Sequence, residues 1–374
     1  GPMPTPAIAH LVRSFAADAG IVISASHNPA GDNGIKFFDK NGFKLPDAIE
    51  HDIEKLVFSD NMDPSLIKTE DIGRAFKIND ADGRYIEFCK ASINNTSLKG
   101  LKIVVDCANG AAYKVAPLIL TELGADVVIF GNKPDGININ KNCGALYPDI
   151  LQSAVLGNEA DIGIALDGDA DRVIMVDNKG KIMDGDAIMA LCGLYLKDKG
   201  ILKNDTIVGT VMSNMGLEVA MKKKRINFVR TKVGDRYVIE EMVKNDYNLG
   251  GEQAGHIILS DYNSTGDGTV TALQVLRIMK ETKKKLSELN NQFEPYPQEL
   301  INVKVKEKKP LEEMSKVMDV IKYVEDDLKD TGRVLVRFSG TENKCRVMVE
   351  GRDYDQIKVD AKLIVTAIKK EIGE

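Results

Sequence analysis

The order strand, glycine-bearing loop, helix, strand occurs twice in this chain, and that repetition limits its fold more than any other feature. Ile103-Val104-Val105 runs into Asp106 and a loop at Ala108-Asn109-Gly110. A helical pattern follows over Ala111 to Leu123, Gly124 stops it, and Val127-Val128-Ile129-Phe130 reads as the next strand. Roughly 100 residues later the order returns as Ile207-Val208-Gly209-Thr210-Val211, a loop at Asn214-Met215-Gly216, a helix over Leu217 to Lys224 and the strand Ile226-Asn227-Phe228-Val229. Two such units predict a duplicated α/β domain, carried by element order and not by residue identity.

The flanks extend the pattern. An amphipathic helix around Ile8 to Ala17 precedes Ala19-Gly20-Ile21-Val22-Ile23, which has the length and β-branching of a buried strand. A loop at Ser24-Ala25-Ser26-His27-Asn28-Pro29, the run Ile35 to Phe38, the turn Asn41-Gly42 and a charged helix from Glu50 to Val57 come next. Far downstream a Lys-rich helix, Gln274 to Leu289, ends before Pro295-Tyr296-Pro297, whose paired prolines predict a linker and a hinge. Beyond it the pattern reads strand (Ile301 to Val305), helix (Leu311 to Asp327), two strands (Arg333 to Arg337, Arg346 to Glu350) and helix (Tyr354 to Glu371), a small α+β domain.

Composition narrows the function. Against 50 Lys and Arg stand 56 Asp and Glu, a net charge of −6, so a general attraction to nucleic acid or to anionic membrane is not expected. Lys222-Lys223-Lys224-Arg225 reads as a solvated helix end. The five cysteines lie far apart with no CxxC pair, which argues against a disulfide framework or a zinc site and for reduced cytosolic thiols. No apolar run approaches the roughly 20 residues a bilayer requires, and the N-terminus lacks the charged-then-apolar order of a signal peptide, so the expected location is cytoplasmic.

Four loops have residues suited to chemistry. Asp167-Gly168-Asp169-Ala170-Asp171-Arg172, between the apolar runs Ile162 to Leu166 and Val173 to Val176, brings three carboxylates to one strand end, where their repulsion calls for a hard cation such as Mg²⁺. The alternative is a solvated acidic turn; an EF-hand is excluded by Arg172 and Asn178 at its glycine and glutamate positions. Ser26 follows a strand and precedes an Asn-Pro turn. An adjacent His27 makes a poor dyad, and no GxSxG elbow exists, so a phosphoryl-carrying serine and a turn-capping serine stay open beside a weak hydrolase reading. Arg337-Phe338-Ser339-Gly340-Thr341-Glu342-Asn343-Lys344-Cys345-Arg346 offers guanidinium groups, hydroxyls and backbone N–H groups to a phosphate monoester, or is a polar hairpin turn. In Gly250-Gly251-Glu252-Gln253-Ala254-Gly255-His256, Glu252 and Gln253 suit vicinal sugar hydroxyls. His256 orients or transfers a proton, or is structural.

Taken together, SASHNP, DGDADR, GEQAGH and RFSGTENKCRVMVEG resemble the α-D-phosphohexomutase superfamily, as do PTPAIAHL, DNGIKFF, VDCANGAAYKVAP and TKVGDRYV, and the likeness covers essentially the whole chain. The resemblance implies three related α/β domains, the first incomplete, followed by a smaller α+β C-terminal domain, with boundaries at 1–81, 82–181, 182–296 and 297–374. It implies reversible conversion of glucosamine 6-phosphate to glucosamine 1-phosphate on the route to UDP-N-acetylglucosamine, with glucose or glucosamine 1,6-bisphosphate as activator, and a possible homodimer. By position, Ser26 would be the phosphoserine and would hold Mg²⁺ with Asp167, Asp169 and Asp171; Lys36 and Arg172 would flank the transferring phosphate. Glu252, Gln253 and Ala254 would meet the sugar, His256 would handle a proton, and Arg337, Ser339, Gly340, Thr341 and Arg346 would grip the distant phosphate.

Three departures matter. Ala254 stands where the family usually has Ser, and Asn343 where it usually has Pro. The family's TDGIRG-like first strand has no counterpart in these residues. Phosphomannomutase or phosphoglucomutase activity is the rival within the class, with the GEQ loop leaning to the amino sugar. A phosphosugar-binding module without turnover is the rival outside it.

Overall fold

A computed structural model describes residues 2–59, 68–339 and 342–373. The chain divides into two compact units, Gly1–Thr210 with Phe228–Gln292, and Val211–Asn227 with Phe293–Glu374.

The first unit opens with α1 (Thr5–Ser14), started by Pro4 and Pro6, whose fixed φ suits a helix entry. It packs on a two-stranded antiparallel ribbon, β1 (Ala19–Ile23) with β2 (Ile35–Asp39). β1 is not the buried strand its composition suggests. A two-stranded ribbon covers one face only, so Val22 and Phe38 are buried with Ala9 while Ile21 and Ile23 are exposed. The helices α2 (Asp47–Val57) and α3 (Ala81–Ala91) follow.

The predicted duplication is present. β3 (Lys102–Asp106), α4 (Val115–Glu122), β4 (Asp126–Phe130), α5 (Pro148–Gly157), β5 (Ile162–Leu166), β6 (Val173–Asp177) and β7 (Ile182–Met183) form a sheet of order β4-β3-β5-β6-β7. β3 pairs in parallel with β4 and β5, whereas β5 and β6 are antiparallel. Every residue of β5 and β6 is buried, as continuous apolar runs at a sheet centre require. After α6 (Gly185–Asp198), capped by the Asp184 carboxylate on the Ala187 N–H, the second copy begins with β8 (Thr206–Thr210). With β9 (Asn227–Thr231), β10 (Leu249–Gly251) and β11 (Ile257–Leu259) it has order β9-β8-β10-β11, the first four strands of the other sheet in register of topology. Here too β8 and β10 are parallel and β10 and β11 antiparallel. α7 (Met215–Lys223) falls in the second unit, and α8 (Asp235–Lys244) covers β8 and β10 as α5 covers β3 and β5.

The single Lys-rich helix expected over Gln274 to Leu289 is instead α9 (Gly268–Thr282) and the short α10 (Leu286–Leu289). The break is at Lys283, which is left-handed (φ 57°), a conformation that ends helices. α9 also starts earlier, where Asp267 accepts the Val270 N–H as its cap.

The second unit holds β12 (Gln298–Lys304), α11 (Ser315–Leu328), β13 (Gly332–Phe338), β14 (Lys344–Gly351) and α12 (Tyr354–Ile372), an antiparallel sheet of order β12-β14-β13 backed by the two helices over a core around Val317, Val347 and Ile364. The predicted linker lies inside this unit and is tied down. Asn214, the cap of α7, donates to the Tyr296 carbonyl (3.0 Å) and accepts from its N–H (2.9 Å). Glu350, fully buried, accepts from Arg333 Nε (2.5 Å), the Met215 N–H (2.9 Å) and Gln298 Nε2 (2.8 Å), while Arg333 also holds the Val211 and Ser213 carbonyls. Lys222 to Arg225 are exposed, and all five cysteines are free and buried. Among the described residues no helix is long and apolar enough to cross a membrane.

Candidate active site

In the first unit three loops share one structural role, each connecting an antiparallel strand pair. Ser26 lies between β1 and β2, the three aspartates between β5 and β6, and Glu252 to His256 between β10 and β11. Ser26 itself is left-handed (φ 54°), a conformation sparsely allowed to non-glycine residues. Its N–H donates to Ser24 Oγ (2.9 Å), and its carbonyl, with that of Asn28, accepts from the buried Asn140 Nδ2 (3.0 and 2.9 Å). That grip turns Ser26 Oγ toward the acidic loop, where it donates to Asp167 Oδ2 at 2.9 Å. His27 Nδ1 stands 3.5 Å from the same Oγ, nearer than an extended loop would bring it, yet at the limit of a hydrogen bond. The left-handed serine is what brings the ring round. Gly168 lets the two loops meet, since a Cβ there would lie 2.5 Å from the Ser26 carbonyl oxygen and 2.6 Å from Asn140 Nδ2. A cavity of about 320 Å³ beside Ser26 is lined by Asn28, Asn109, Asn138, Gly168 and Asp169 among others.

Asp167, Asp169 and Asp171 are each at least 97% buried, with ligand oxygens within 4.8 Å of one another. Lys36, reaching from β2, donates to Asp169 Oδ2 (2.6 Å) and approaches Asp171 Oδ2 (3.4 Å). Thr5 Oγ1 donates to the same Asp169 Oδ2 at 2.6 Å. The Arg172 N–H donates to Asp167 Oδ1 (3.1 Å), and Arg172 Nε sits 4.0 Å from Asp171 Oδ1. Burial, then Asp171 and Asp169, push the Asp167 carboxyl well above its usual range. Burial acts the same way on Asp171, but His256, Lys36 and Lys44 outweigh it and hold that carboxyl well below. For Lys36, burial favours the neutral amine, and Asp171 and Asp169 reverse the balance, raising its pKa.

The donor set fits a hard divalent ion. Oδ1 of Asp169 and Oδ1 of Asp171 are buried without a hydrogen-bond partner, a costly arrangement that a cation between the carboxylates would relieve. The acidic loop is therefore buried and not a solvated turn, and its oxygens suit a metal ion.

His256 is 2% exposed, with Nδ1 3.6 Å from Asp171 Oδ1, Nε2 3.6 Å from Asp235 Oδ2, and the Gly266 N–H donating to Nε2 at 3.2 Å. Burial opposes its charge, but Asp171 and Asp235 raise its pKa. Asp235, ion-paired to Lys44, is lowered to about 2: burial works against this, and His256 and Lys44 prevail. The loop from Glu252 to His256 is anchored to its neighbours. The Val173 N–H donates to the Gly255 carbonyl (3.0 Å), the Gly185 N–H to the Gln253 carbonyl (2.9 Å), and the Gly234 N–H to Glu252 Oε1 (3.0 Å). Ala254 is exposed, and Glu252 and Gln253 are half-buried.

In the second unit Arg337 on β13 and Arg346 on β14 are direct cross-strand partners. Like charges opposite one another destabilise a sheet, and the only carboxylate near the pair among the described contacts is Glu342, whose Oε2 is 4.0 Å from an Arg346 terminal nitrogen. Burial, then Arg346, lower the Arg337 pKa, and Arg346 Nε is buried without a partner. The Ser339 N–H donates to the Lys344 carbonyl (2.8 Å) and its Oγ accepts from the Glu342 N–H (3.4 Å). Gly340 and Thr341 lie outside the described residues.

Ser26, Lys36, Asp167, Asp169, Asp171, Arg172 and His256 thus converge in the first unit, and Arg337, Ser339 and Arg346 in the second. Thr5, Asn140, Lys44 and Asp235 were not singled out by sequence reasoning. Thr5 and Asp235 lay within PTPAIAHL and TKVGDRYV, whereas no sequence signal marks Asn140.

Comparison with known proteins gives the class. The chain matches phosphoglucomutase/phosphomannomutase α/β/α domain I over residues 1–63, domain II over 83–180, domain III over 184–296 and the C-terminal domain over 300–365. It belongs to the phosphoglucomutase/phosphomannomutase family. Within that family it is 54% identical to the phosphoglucosamine mutase of Protochlamydia amoebophila and 56% identical to that of Myxococcus xanthus, each match covering 100% of this chain and 82% of the relative. The N-acetylphosphoglucosamine mutase of Aspergillus fumigatus, solved with GlcNAc-6P and magnesium, shares the fold at a TM-score of 0.76 and 20% identity, over 98% of this chain and 92% of that one.

Proposed function

We propose that the protein interconverts glucosamine 6-phosphate and glucosamine 1-phosphate through a phosphorylated Ser26. The observation that carries this reading is Ser26 Oγ held 2.9 Å from Asp167 at the edge of a buried aspartate trio with unpartnered oxygens. The naming of relatives at 54% and 56% identity supports the amino sugar as substrate.

Transfer breaks the Oγ–P bond of Ser26 and forms a P–O bond to O1 or O6 of the sugar; the serine oxygen keeps the electron pair and takes up the proton that the sugar hydroxyl gives up. Return of the other phosphoryl group from the 1,6-bisphosphate reverses both changes. Such a step needs alignment and charge neutralisation above all. Mg²⁺, held by Asp167, Asp169, Asp171 and an oxygen of phospho-Ser26, would supply a Lewis acid for the transferring group. Lys36 and Arg172 add fixed positive charge beside it. His256, buried 3.6 Å from both Asp171 and Asp235, holds those carboxylates in place and is the group assigned to handle a proton. Glu252 and Gln253 take the sugar hydroxyls, and Arg337, Ser339 and Arg346, with Gly340 and Thr341, take the phosphate that is not moving. A hexose 1,6-bisphosphate restores a serine that has lost its phosphate, and free buried thiols suit a cytoplasmic setting. The division into domains at 81, 181 and 296 belongs to the same reading.

Intact mass followed by digestion tests it: one phosphate is expected, on Ser26. Ser26→Ala abolishes turnover of glucosamine 6-phosphate while phosphosugar binding persists. Normal turnover in that variant refutes the phosphoserine, and a preference for glucose or mannose 6-phosphate over the amino sugar refutes the substrate. Labelling of Ser26 by a fluorophosphonate would favour a hydrolase instead.

A further inference from the structure

We propose that Thr5 is a positioning residue of the metal-ion site, fixing which oxygen of Asp169 faces the cation. Thr5 is fully buried and grips Asp169, 164 residues away, from both ends: its N–H donates to the Asp169 carbonyl (2.9 Å) and its Oγ1 donates to Asp169 Oδ2 (2.6 Å). Lys36 Nζ donates to that same Oδ2 at 2.6 Å. With two donors on Oδ2, the carboxylate plane is locked and Oδ1 is left buried and unpartnered. Oδ1 is therefore the ligand oxygen.

A terminal carboxylate torsion is broad and two-fold, so without a fixed donor the two oxygens exchange places freely. Lys36 cannot hold the plane by itself, because it is divided between Asp169 and Asp171. The hydroxyl acts as the outer hydrogen bond that orients a metal ligand, a contact whose loss typically weakens metal affinity 10- to 100-fold. Its other virtue is position. Thr5 begins α1, so one residue ties the helix that supports β1 to the acidic loop.

The inference rests on the metal reading above, and a crossed pair of variants separates the two. Thr5→Val keeps the shape and the backbone N–H and removes the donor; Thr5→Ser keeps the donor and removes the methyl. Titration calorimetry of Mg²⁺ alone, without substrate, is expected to show an affinity loss of about 10- to 100-fold for Thr5→Val and near wild-type affinity for Thr5→Ser. Equal affinity in wild type and Thr5→Val overturns the inference, as does an equal loss in both variants, which would mark a packing role. A wild-type protein that binds no Mg²⁺ overturns the metal reading and this inference with it. Circular dichroism in EDTA checks folding; if Thr5→Val does not fold, Thr5→Ser against Thr5→Ala supplies the same comparison.

Discussion

Gly168→Ala adds one methyl group at the point where the serine loop crosses the aspartate loop, and its effect can be worked from the distances there. The new Cβ would stand 2.5 Å from the Ser26 carbonyl oxygen, 2.6 Å from Asn140 Nδ2 and 2.9 Å from Ile139 Cδ1. The first of these falls about 0.9 Å short of the 3.4 Å at which ordinary contact begins. Two of the three atoms are the ones that hold Ser26 left-handed, so relief comes from lifting the serine loop by roughly 1 Å, a misplacement that typically costs about 10²-fold in rate. Overpacking of this kind also destabilises by about 1–3 kcal/mol. Gly168 does not need a positive φ, so the penalty is steric and no backbone strain adds to it. The assay is kcat and KM for glucosamine 6-phosphate alongside urea unfolding. A fall in kcat with little change in KM is expected, because the clash displaces the serine loop and the proposed function assigns the phosphate that is not moving to other residues. A variant with wild-type kcat and wild-type stability would refute the claim that Ser26 is placed by this crossing.

Two further outcomes follow from other groups. Arg346→Ala removes one of two facing arginines: KM for the phosphosugar should rise about 10- to 100-fold, the worth of a charge-assisted pair, while the ligand-free protein gains up to about 1 kcal/mol from relieved like-charge repulsion; a variant that loses stability without a change in KM would show the pair to be structural. Asp267, fully buried, has its carboxyl pushed up to about 6 by burial, despite hydrogen bonds from Val270, Tyr85 and Asn263. Between pH 4 and 6 the unfolded chain gives up this proton first, so stability falls as pH rises through that window, by up to about 3 kcal/mol. Asp267→Asn, which keeps a capping oxygen for α9, should therefore gain on the wild type by that amount from pH 4 to 6.5 in urea titrations, and a difference independent of pH would contradict the assignment.

Sequence patterns revealed the repeat and the three functional loops of the first unit because each rests on local chemistry. Apolar runs mark β3, β5, β6 and β8, and clustered carboxylates or glycines mark the connections between strands. What stayed hidden is non-local. The exposure of Ile21 and Ile23 depends on β1 having a single neighbour, and the kink at Lys283 on one left-handed residue that composition does not flag. Asn140 carries no signature of its own, and Thr5 lies in a recognised stretch without being marked within it; their importance arises from partners 114 and 164 residues away. The proline run does fall beside the division at Gln292 and Phe293, but it says nothing of local restraint. Paired prolines suggest freedom, but Asn214 binds both backbone groups of Tyr296.

Ser26, the three aspartates and the loop from Glu252 to His256 all sit in connectors of antiparallel strand pairs, which has a bearing on how such an enzyme changes over evolutionary time. Strands fix the take-off points, and a connector can be lengthened or rewritten without shifting their register. The first connector runs from Ser24 to Gly34 and is closed by the Ser24 N–H on the Gly34 carbonyl (2.9 Å), and the second has no room for a side chain at Gly168. Ala254, exposed in the third connector, is the site of the three where an edit disturbs the least packing, so under the proposed function a change of sugar preference is expected there first.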